Sequence, residues 1–554
     1  MRTLRDRFVR DERGAVLVIV GLLMVPLIGL IGAAVDFSIA ARRQTQLQIA
    51  LDQATLAIAR DPPANDAAVT RARAEQLMRA QLSATGVPPD QWQLTQVTDA
   101  GGKVSITAES TVRTVLMSIL NNETVKVGTS TEVTREQTKL EVALVLDNSS
   151  SMATVSAGRP KVEAAKEAAN ALVDSLFLGK PTSEFIKISV VPYTSSVKVG
   201  AEYANASWVD TAGVSSIHWW KSGENKAVIE KPAWAASRFG LFNELGIPWA
   251  GCFETRPNGL GFTDDPPSDL NPDSLFVPMF APDEPGQNPH SDSCSPLNQS
   301  GACRTYASRP YVNSYLDDDG GACIKSGFTT NALLRQRASC KYKTGQAASK
   351  LSLTTRYGGI ATGPNFMCNG VPILRMTNER DTVKGRIGQL AALGDTTMFE
   401  GLAWGWRTLS PNTPFADGKA YGTADNKKIL ILLTDGNNNW LSYNNDNRSI
   451  YAPMSYYGNN RIASGLTTVS AANAVLNQKT KDVCANAKGK GVIIYTVGLM
   501  VGAQQLPEEW ADIVNSCAST VDGKLQAYVA TDGNQLVQVF KNIGSQLSKL
   551  RVSH

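Results

Sequence analysis

Two unbroken aliphatic runs, Val142-Ala143-Leu144-Val145-Leu146 and Ile429-Leu430-Ile431-Leu432-Leu433, stand out from the polar background of the chain. Runs without polar alternation predict strands buried on both faces, as in a parallel sheet covered by helices. Around them the period changes. Ile186, Ile188 and Val190 alternate as a strand over residues 185–191, while Val162, Ala165, Ala169, Leu172, Val173 and Leu176 share one face of a helix. A helix at about residues 382–393, strands at 492–497 and 525–530, and a last helix with Leu536, Phe540, Ile543 and Leu547 on one face continue the alternation. Asp532 is placed to cap that last helix. From Lys139 onward the expectation is an α/β fold with a doubly wound, mostly parallel sheet.

The N-terminal pattern is different. Residues 14–35 carry no charge and are long enough to cross a bilayer as a helix, since ~20 residues at 1.5 Å rise cover the hydrocarbon core. Pro26 kinks such a span without ending it. Arg2, Arg5, Arg7, Arg10 and Arg13 precede it and Arg42 and Arg43 follow it, a bias that places the N-terminus in the cytoplasm and the bulk of the chain across the membrane. An uncleaved anchor is expected, with a cleavable signal as the alternative. Leu47, Leu51, Ala54 and Ile58 then recur at helical spacing, so the helix continues into water with one apolar stripe that needs a partner. A second helix at 66–82 and strands at 92–97, 104–108 and 125–133, with Gly101-Gly102 as a hairpin turn, predict a small α+β stalk. The expected divisions are 1–13 cytoplasmic, 14–60 helix, 61–137 stalk and 138–550 the α/β domain.

At 554 residues the chain exceeds one core, and ~150 residues per domain suggests about three units. Its 43% hydrophobic and 19% charged content is that of a globular protein, and a net charge of +4 gives no reason to expect nucleic acid as a partner.

Chemistry gathers where the buried runs end. Asp147, Ser149 and Ser151 follow the first run and Asp435 ends the second, and ligands of α/β sheets lie outside the carboxyl ends of the strands. Carboxylate and hydroxyl oxygens without thiol or imidazole favour a hard cation: Mg²⁺ first, with Mn²⁺ or Ca²⁺ able to substitute. Leu146-Asp147-Asn148-Ser149-Ser150-Ser151-Met152 resembles the Asp-x-Ser-x-Ser signature of von Willebrand factor type A domains. In that family a threonine and an aspartate from two further loops complete a metal-ion-dependent adhesion site (MIDAS). Gly394-Asp395-Thr396-Thr397-Met398 and Thr434-Asp435-Gly436 look like those loops, so the resemblance implies Asp147, Ser149, Ser151, Thr396 and Asp435 as the metal set. An empty site in which Ser149 and Thr396 simply bond loop backbone is the alternative.

A second resemblance lies at the ends of the chain. Arg13-Gly14-Ala15-Val16, Val35-Asp36 and the helix Gln46-Leu47-Gln48-Ile49-Ala50-Leu51-Asp52-Gln53-Ala54 resemble the N-terminal region of TadG-like proteins of the Tad/Flp pilus assembly system. Leu550-Arg551-Val552-Ser553 is similar to the Leu-Arg-Leu-Ser ending common among them, and members carry a type A domain after the stalk. Related pilin-like proteins have a glutamate early in the span; Ala15 to Val20 has none, so prepilin-type cleavage is not expected.

Asp147 and Thr396 are more than twice as far apart as in typical type A domains, which implies an insertion at about residues 192–374, the size of a subdomain, since structureless connections beyond ~15 residues are uncommon. It contains Cys252, Cys294, Cys303, Cys323, Cys340 and Cys368, while Cys484 and Cys517 flank the strand at 492–497 and can pair with each other. Disulfides are expected in an exported segment, with free buried thiols as the alternative; six cysteines leave the pairing open. Zinc is not expected, for no Cys-x-x-Cys exists and His218, His290 and His554 read as surface or packing residues. Asp317-Asp318-Asp319-Gly320 lacks calcium-loop spacing and reads as a solvated turn, Asp264-Asp265-Pro266-Pro267 as a loop, and Asn437-Asn438-Asn439 as rim or ordinary turn.

The chain carries no phosphate loop, no His-Glu-x-x-His and no Gly-x-Ser-x-Gly, so an enzyme is not expected. The reading is a protein-binding module in which a partner's acidic residue fills an open metal position. The pilus resemblance implies a pilus or envelope component as that partner, and a bacterial inner-membrane, single-pass, periplasm-facing location. A surface adhesin for host or matrix protein and a metal-dependent hydrolase are the alternatives.

Overall fold

The computed structural model describes residues 13–60, 66–100, 103–134, 138–224, 226–286, 304–306, 309–316, 318, 331–343, 355–357, 360–500 and 508–550. The chain divides into two compact units, Met1–Thr138 with Ser548–His554, and Lys139–Leu547.

In the first unit one continuous helix, α1 (Arg13–Arg60), carries both the apolar span and the stripe beyond it. Its span has a mean hydropathy of 2.2 and is long and apolar enough to cross a membrane. Leu22, Leu27, Leu30 and Ile31 are exposed there, as lipid-facing side chains are. The stripe packs on α2 (Ala67–Ala84) and on an antiparallel sheet of β1 (Trp92–Ala100), β2 (Lys103–Arg113) and β3 (Thr124–Thr134). Leu47, Leu51, Ala54 and Ile58 lie in one core with Ala74, Met78, Leu82, Val104, Ile106 and Ala108. Each of the larger side chains gains about 1.5–3 kcal/mol from that burial, which gives the stripe the partner it lacks as an isolated helix. Asp66 caps α2 by accepting from Ala68 N at 2.8 Å. The Gly101-Gly102 turn lies outside the described residues.

The second unit is built on a six-stranded sheet of β4 (Lys139–Asp147), β5 (Ile186–Tyr193), β6 (Leu374–Thr377), β7 (Asn426–Thr434), β8 (Ile493–Leu499) and β9 (Ala527–Ala530). The order is β6-β5-β4-β7-β8-β9, with β6 antiparallel to β5 and the other neighbours parallel. Every residue of β4 after Lys139 is buried, which requires cover on both faces. That cover comes from α3 (Lys161–Phe177), α4 (Arg380–Gly388), α5 (Met398–Leu409), α6 (Val469–Gly489), α7 (Glu508–Cys517) and α8 (Gly533–Leu550). Asp532 caps α8 through Asn534 N and Gln535 N, at 2.7 and 2.9 Å. The last helix before the threonine loop, α4, ends five residues short of the expected 393, and Ala391 and Leu393 instead bond to Asn148 across the sheet end.

Between β5 and β6 the described residues form short helices and strands around an aromatic core. Trp208 meets Phe253 and Phe276 at ring distances of 5.1 and 5.3 Å, and Phe276 meets Trp404 of α5 at 5.1 Å. Cys252 bonds Cys368 within this stretch and Cys484 bonds Cys517, tying α6 to α7. Cys340 is disulfide-bonded too; Cys294, Cys303 and Cys323 lie outside the described residues.

The expected solvated turn at 317–319 is corrected for Asp318. It is fully buried, accepting from Arg335 Nε at 2.9 Å, Gly286 N at 2.9 Å and Lys341 Nζ at 3.5 Å. Two cations and an amide replace the water that the sequence pattern assigned to it. Asp317 and Asp319 lie outside the described residues. Asp264 sits in its expected loop but is buried, bonded by the hydroxyls of Ser410 and Tyr421. His218 is a packing residue, buried between Asp210 (2.7 Å) and the backbone N–H of Arg238 (2.9 Å); His290 and His554 lie outside the described residues.

Candidate metal-binding site

Parallel pairing brings the carboxyl ends of β4, β5 and β7 to one edge of the sheet. Asp147 pairs with Tyr193, and Leu146 pairs with Leu433, so Asp147, Tyr193 and Thr434 end adjacent strands side by side. Beyond these ends four loops are stitched together by backbone bonds. Asp147 Oδ1 accepts from Ser149 N at 2.9 Å, turning the first loop back on itself. Ser150 N donates to Gly394 O at 2.9 Å and Leu393 N to Asn148 O at 2.8 Å, joining it to the second loop. Gly394 has φ +74°, and a Cβ there would press on Asn369 and Thr194. Thr397 N donates to Thr194 O and Asn439 N to Thr396 O, both at 2.9 Å, joining the second loop to the strand end at 194 and to the third loop.

Three of the five expected ligand residues are joined by side-chain hydrogen bonds. Ser151 Oγ donates to Asp435 Oδ1 at 2.6 Å, and its one proton is thereby used, so Ser149 Oγ is the donor in the 2.9 Å contact between the two serines. Asp147 is fully buried one residue behind, its Oδ2 accepting from Thr434 Oγ1 at 3.0 Å and from Tyr193 OH at 3.4 Å. Thr396 joins only by its backbone; its hydroxyl makes no hydrogen bond among the described residues. Asp435 Oδ2 is bonded by Lys161 Nζ at 2.8 Å, a buried ion pair at the start of α3.

Two carboxylates beside one ammonium leave this site electronegative. Burial, and next the charge of Asp435, push the Asp147 carboxyl up to about 7. Burial also raises the Tyr193 phenol. A divalent cation would relieve the repulsion between the carboxylates, and the hydroxyls of Ser149, Ser151 and Thr396 supply further hard oxygens, so the residues fit such an ion. Asn148 Oδ1 is a buried acceptor with no partner in the same loop. Among the described residues no group of three or more His, Cys, Asp or Glu side chains is arranged as a metal cluster, so any ion here depends on hydroxyl ligands.

Several participants carry no mark in the sequence. Lys161, Tyr193 and Thr434 touch the two aspartates, yet a lysine opening a helix or a tyrosine ending a strand has no spacing rule that announces it. Asn438 is not a rim residue: its Oδ1 caps α5 through Met398 N at 2.8 Å while its Nδ2 reaches Asn477 and Thr480. Asn437 is exposed, and Asn439 holds the threonine loop by its N–H.

The family model described as "Putative Flp pilus-assembly TadE/G-like" matches residues 14–61. No match is found among curated proteins. Solved structures give distant matches. The pilus adhesin SpaC from Lactobacillus rhamnosus GG is 11% identical with a TM-score of 0.31, over 83% of this chain and 35% of SpaC, so the chain spans about a third of that protein. The vWF domain of the type V pili tip protein Mfa5 from Porphyromonas gingivalis is 10% identical with a TM-score of 0.30, over 75% of this chain and 97% of that one. Proximal thread matrix protein 1 from the mussel byssus, with a zinc-occupied MIDAS motif, is 10% identical with a TM-score of 0.27, over 75% and 47%. The chain thus carries an N-terminal TadE/G-like segment, a mixed α/β unit with a mostly parallel sheet, and a helix able to span a membrane.

Proposed function

We propose that this protein is a membrane-anchored, divalent-cation-dependent protein-binding module of the bacterial envelope that takes part in Tad/Flp pilus assembly. The observation that carries the reading is the chain of oxygens Ser149–Ser151–Asp435, backed by Asp147 and flanked by Thr396, at the carboxyl ends of parallel strands. Mg²⁺ held by Ser149, Ser151 and Thr396, and by the two aspartates directly or through water, keeps one position for an aspartate or glutamate of a partner. A von Willebrand factor A-like arrangement of the second unit is part of this proposal, with the subdomain between β5 and β6 supplying contact area. The family-model match over residues 14–61 supports the pilus context. The arginines before the span support a cytoplasmic N-terminus and a periplasmic bulk.

Calorimetric titration of the full chain in detergent with Mg²⁺ tests the site. Binding at one site, weakened tenfold or more by Thr396→Ala, is expected; absence of heat in the parent removes the metal from the account. A photo-crosslinking residue at exposed Asn437 tests the partner, with chelator-sensitive capture of an envelope protein expected.

A further inference from the structure

We propose that the loop between β2 and β3 dips into the outer face of the bilayer, making a second membrane contact beside the span; this rests on reading α1 as a membrane helix. The loop reads Val115-Leu116-Met117-Ser118-Ile119-Leu120, five apolar residues in six. In a water-soluble domain such a run is core. Here Val115 is 62% exposed, and Leu116 and Met117 are half-buried.

The loop is fastened to the apolar end of α1. A Cβ at Gly32 would lie 2.6 Å from Leu116 Cβ, so glycine is what lets the loop approach the helix. One turn later Asp36, 2% exposed, accepts from the backbone N–H groups of Val115, Leu116 and Met117 at 2.8, 3.0 and 2.7 Å. These are donors at the start of the short 3₁₀ turn Met117–Leu120, which water would otherwise have to satisfy. A segment entering a low-dielectric layer needs its backbone groups paired inside the protein, and Asp36 provides that.

Position along the helix agrees. At 1.5 Å per residue Gly32 lies about 5 Å inside the end of the span at Val35. Leu27, Leu30, Ile31 and Val35 are exposed on the same helix, so the loop lies beside a span whose other faces are apolar and uncovered. Arg42, Arg113 and Lys126 are exposed beyond it, at the level of lipid phosphates.

The test incorporates benzoylphenylalanine at position 115 of the full chain in native membranes, with position 27 on the span and exposed Thr95 as references. Irradiation is followed by mass spectrometry of the labelled peptide. Phospholipid adducts at 115 and 27, several-fold above Thr95, are expected. Lipid at 27 with only protein adducts or none at 115 overturns the loop proposal and leaves the anchor standing. No lipid at either position removes the anchor and the proposal together. Asp36→Ala in the 115-labelled chain is expected to lower the lipid adduct several-fold without changing that at 27; an unchanged adduct overturns the role given to Asp36.

Discussion

Lys161 supplies a buried cation to Asp435, and replacing it isolates that role. Its ammonium lies 2.8 Å from Asp435 Oδ2, with the two side chains 10% and 0% exposed. Lys161→Met keeps an unbranched side chain, one atom shorter, and removes the charge. Without metal, Asp435 then stays buried beside Asp147 with no counter-charge, and removing one partner of a buried pair costs about 3–5 kcal/mol. The unit concerned runs from Lys139 to Leu547. At ~2 cal/mol/K of unfolding entropy per residue over about 400 residues, that loss lowers Tm by about 4–6 °C. With Mg²⁺ the sign reverses, because the ion no longer faces a like charge across the same carboxylate. Binding tightens by tenfold or more, ~1.4 kcal/mol, and at a hundredfold excess over Kd the ion returns about 2.7 kcal/mol of stability. The assay is thermal melting of the full chain in detergent, with chelator and with saturating Mg²⁺. If the variant melts with the parent in chelator and gains no more from Mg²⁺ than the parent does, Lys161 is not the internal counter-ion of this site.

Other expectations follow from the packing around it. Gly401→Ala sets a Cβ 2.6 Å from Tyr193 Cγ, so it should cost about 1–3 kcal/mol in denaturant melts and weaken Mg²⁺ binding by displacing a ring that bonds Asp147. Replacing Cys484 and Cys517 by serine opens a bridge of sequence separation 33 and should lower stability by about 3–4 kcal/mol, read from the same melts. Among the described residues Glu284 is buried without a cation at hydrogen-bond distance, and burial pushes its carboxyl from 4.5 up to about 7. The folded state therefore holds a proton that the unfolded chain releases, and this group's contribution falls as pH rises from about 4.5 to about 7. Glu284→Gln, which still accepts from Val312 N and Asn313 N, should match the parent at pH 4, lose that slope, and exceed it by up to ~3 kcal/mol at pH 8 in pH-dependent melts.

How much of this was legible in the sequence depends on whether the signal was local. The aliphatic runs of β4 and β7 mark buried parallel strands because each residue there faces a helix on one side or the other. Asp66 and Asp532 mark helix starts because a cap needs only its own next residues. The stripe Leu47–Leu51–Ala54–Ile58 announces a partner without naming it, and the stalk sheet and α2 are that partner. What failed to show is set by tertiary charge. Asp318 reads as a turn aspartate until Arg335 and Lys341 arrive from later in the chain. Lys161 and Tyr193 likewise gain meaning only when Asp435 and Asp147 are placed beside them. Asp36 shows only as a charge closing an apolar span, and its bonds to a loop far along the chain have no local signature.

In the proposed function the loops after β4, α4 and β7 form one divalent-cation site with a position open to a partner. Anomalous diffraction from crystals of the protein grown with Mn²⁺ tests it most directly. One strong peak is expected within ligand distance of Ser149 Oγ, Ser151 Oγ and Thr396 Oγ1, with Asp147 and Asp435 in direct or water-bridged contact. A map with no peak there, while Lys161 still occupies Asp435, contradicts it.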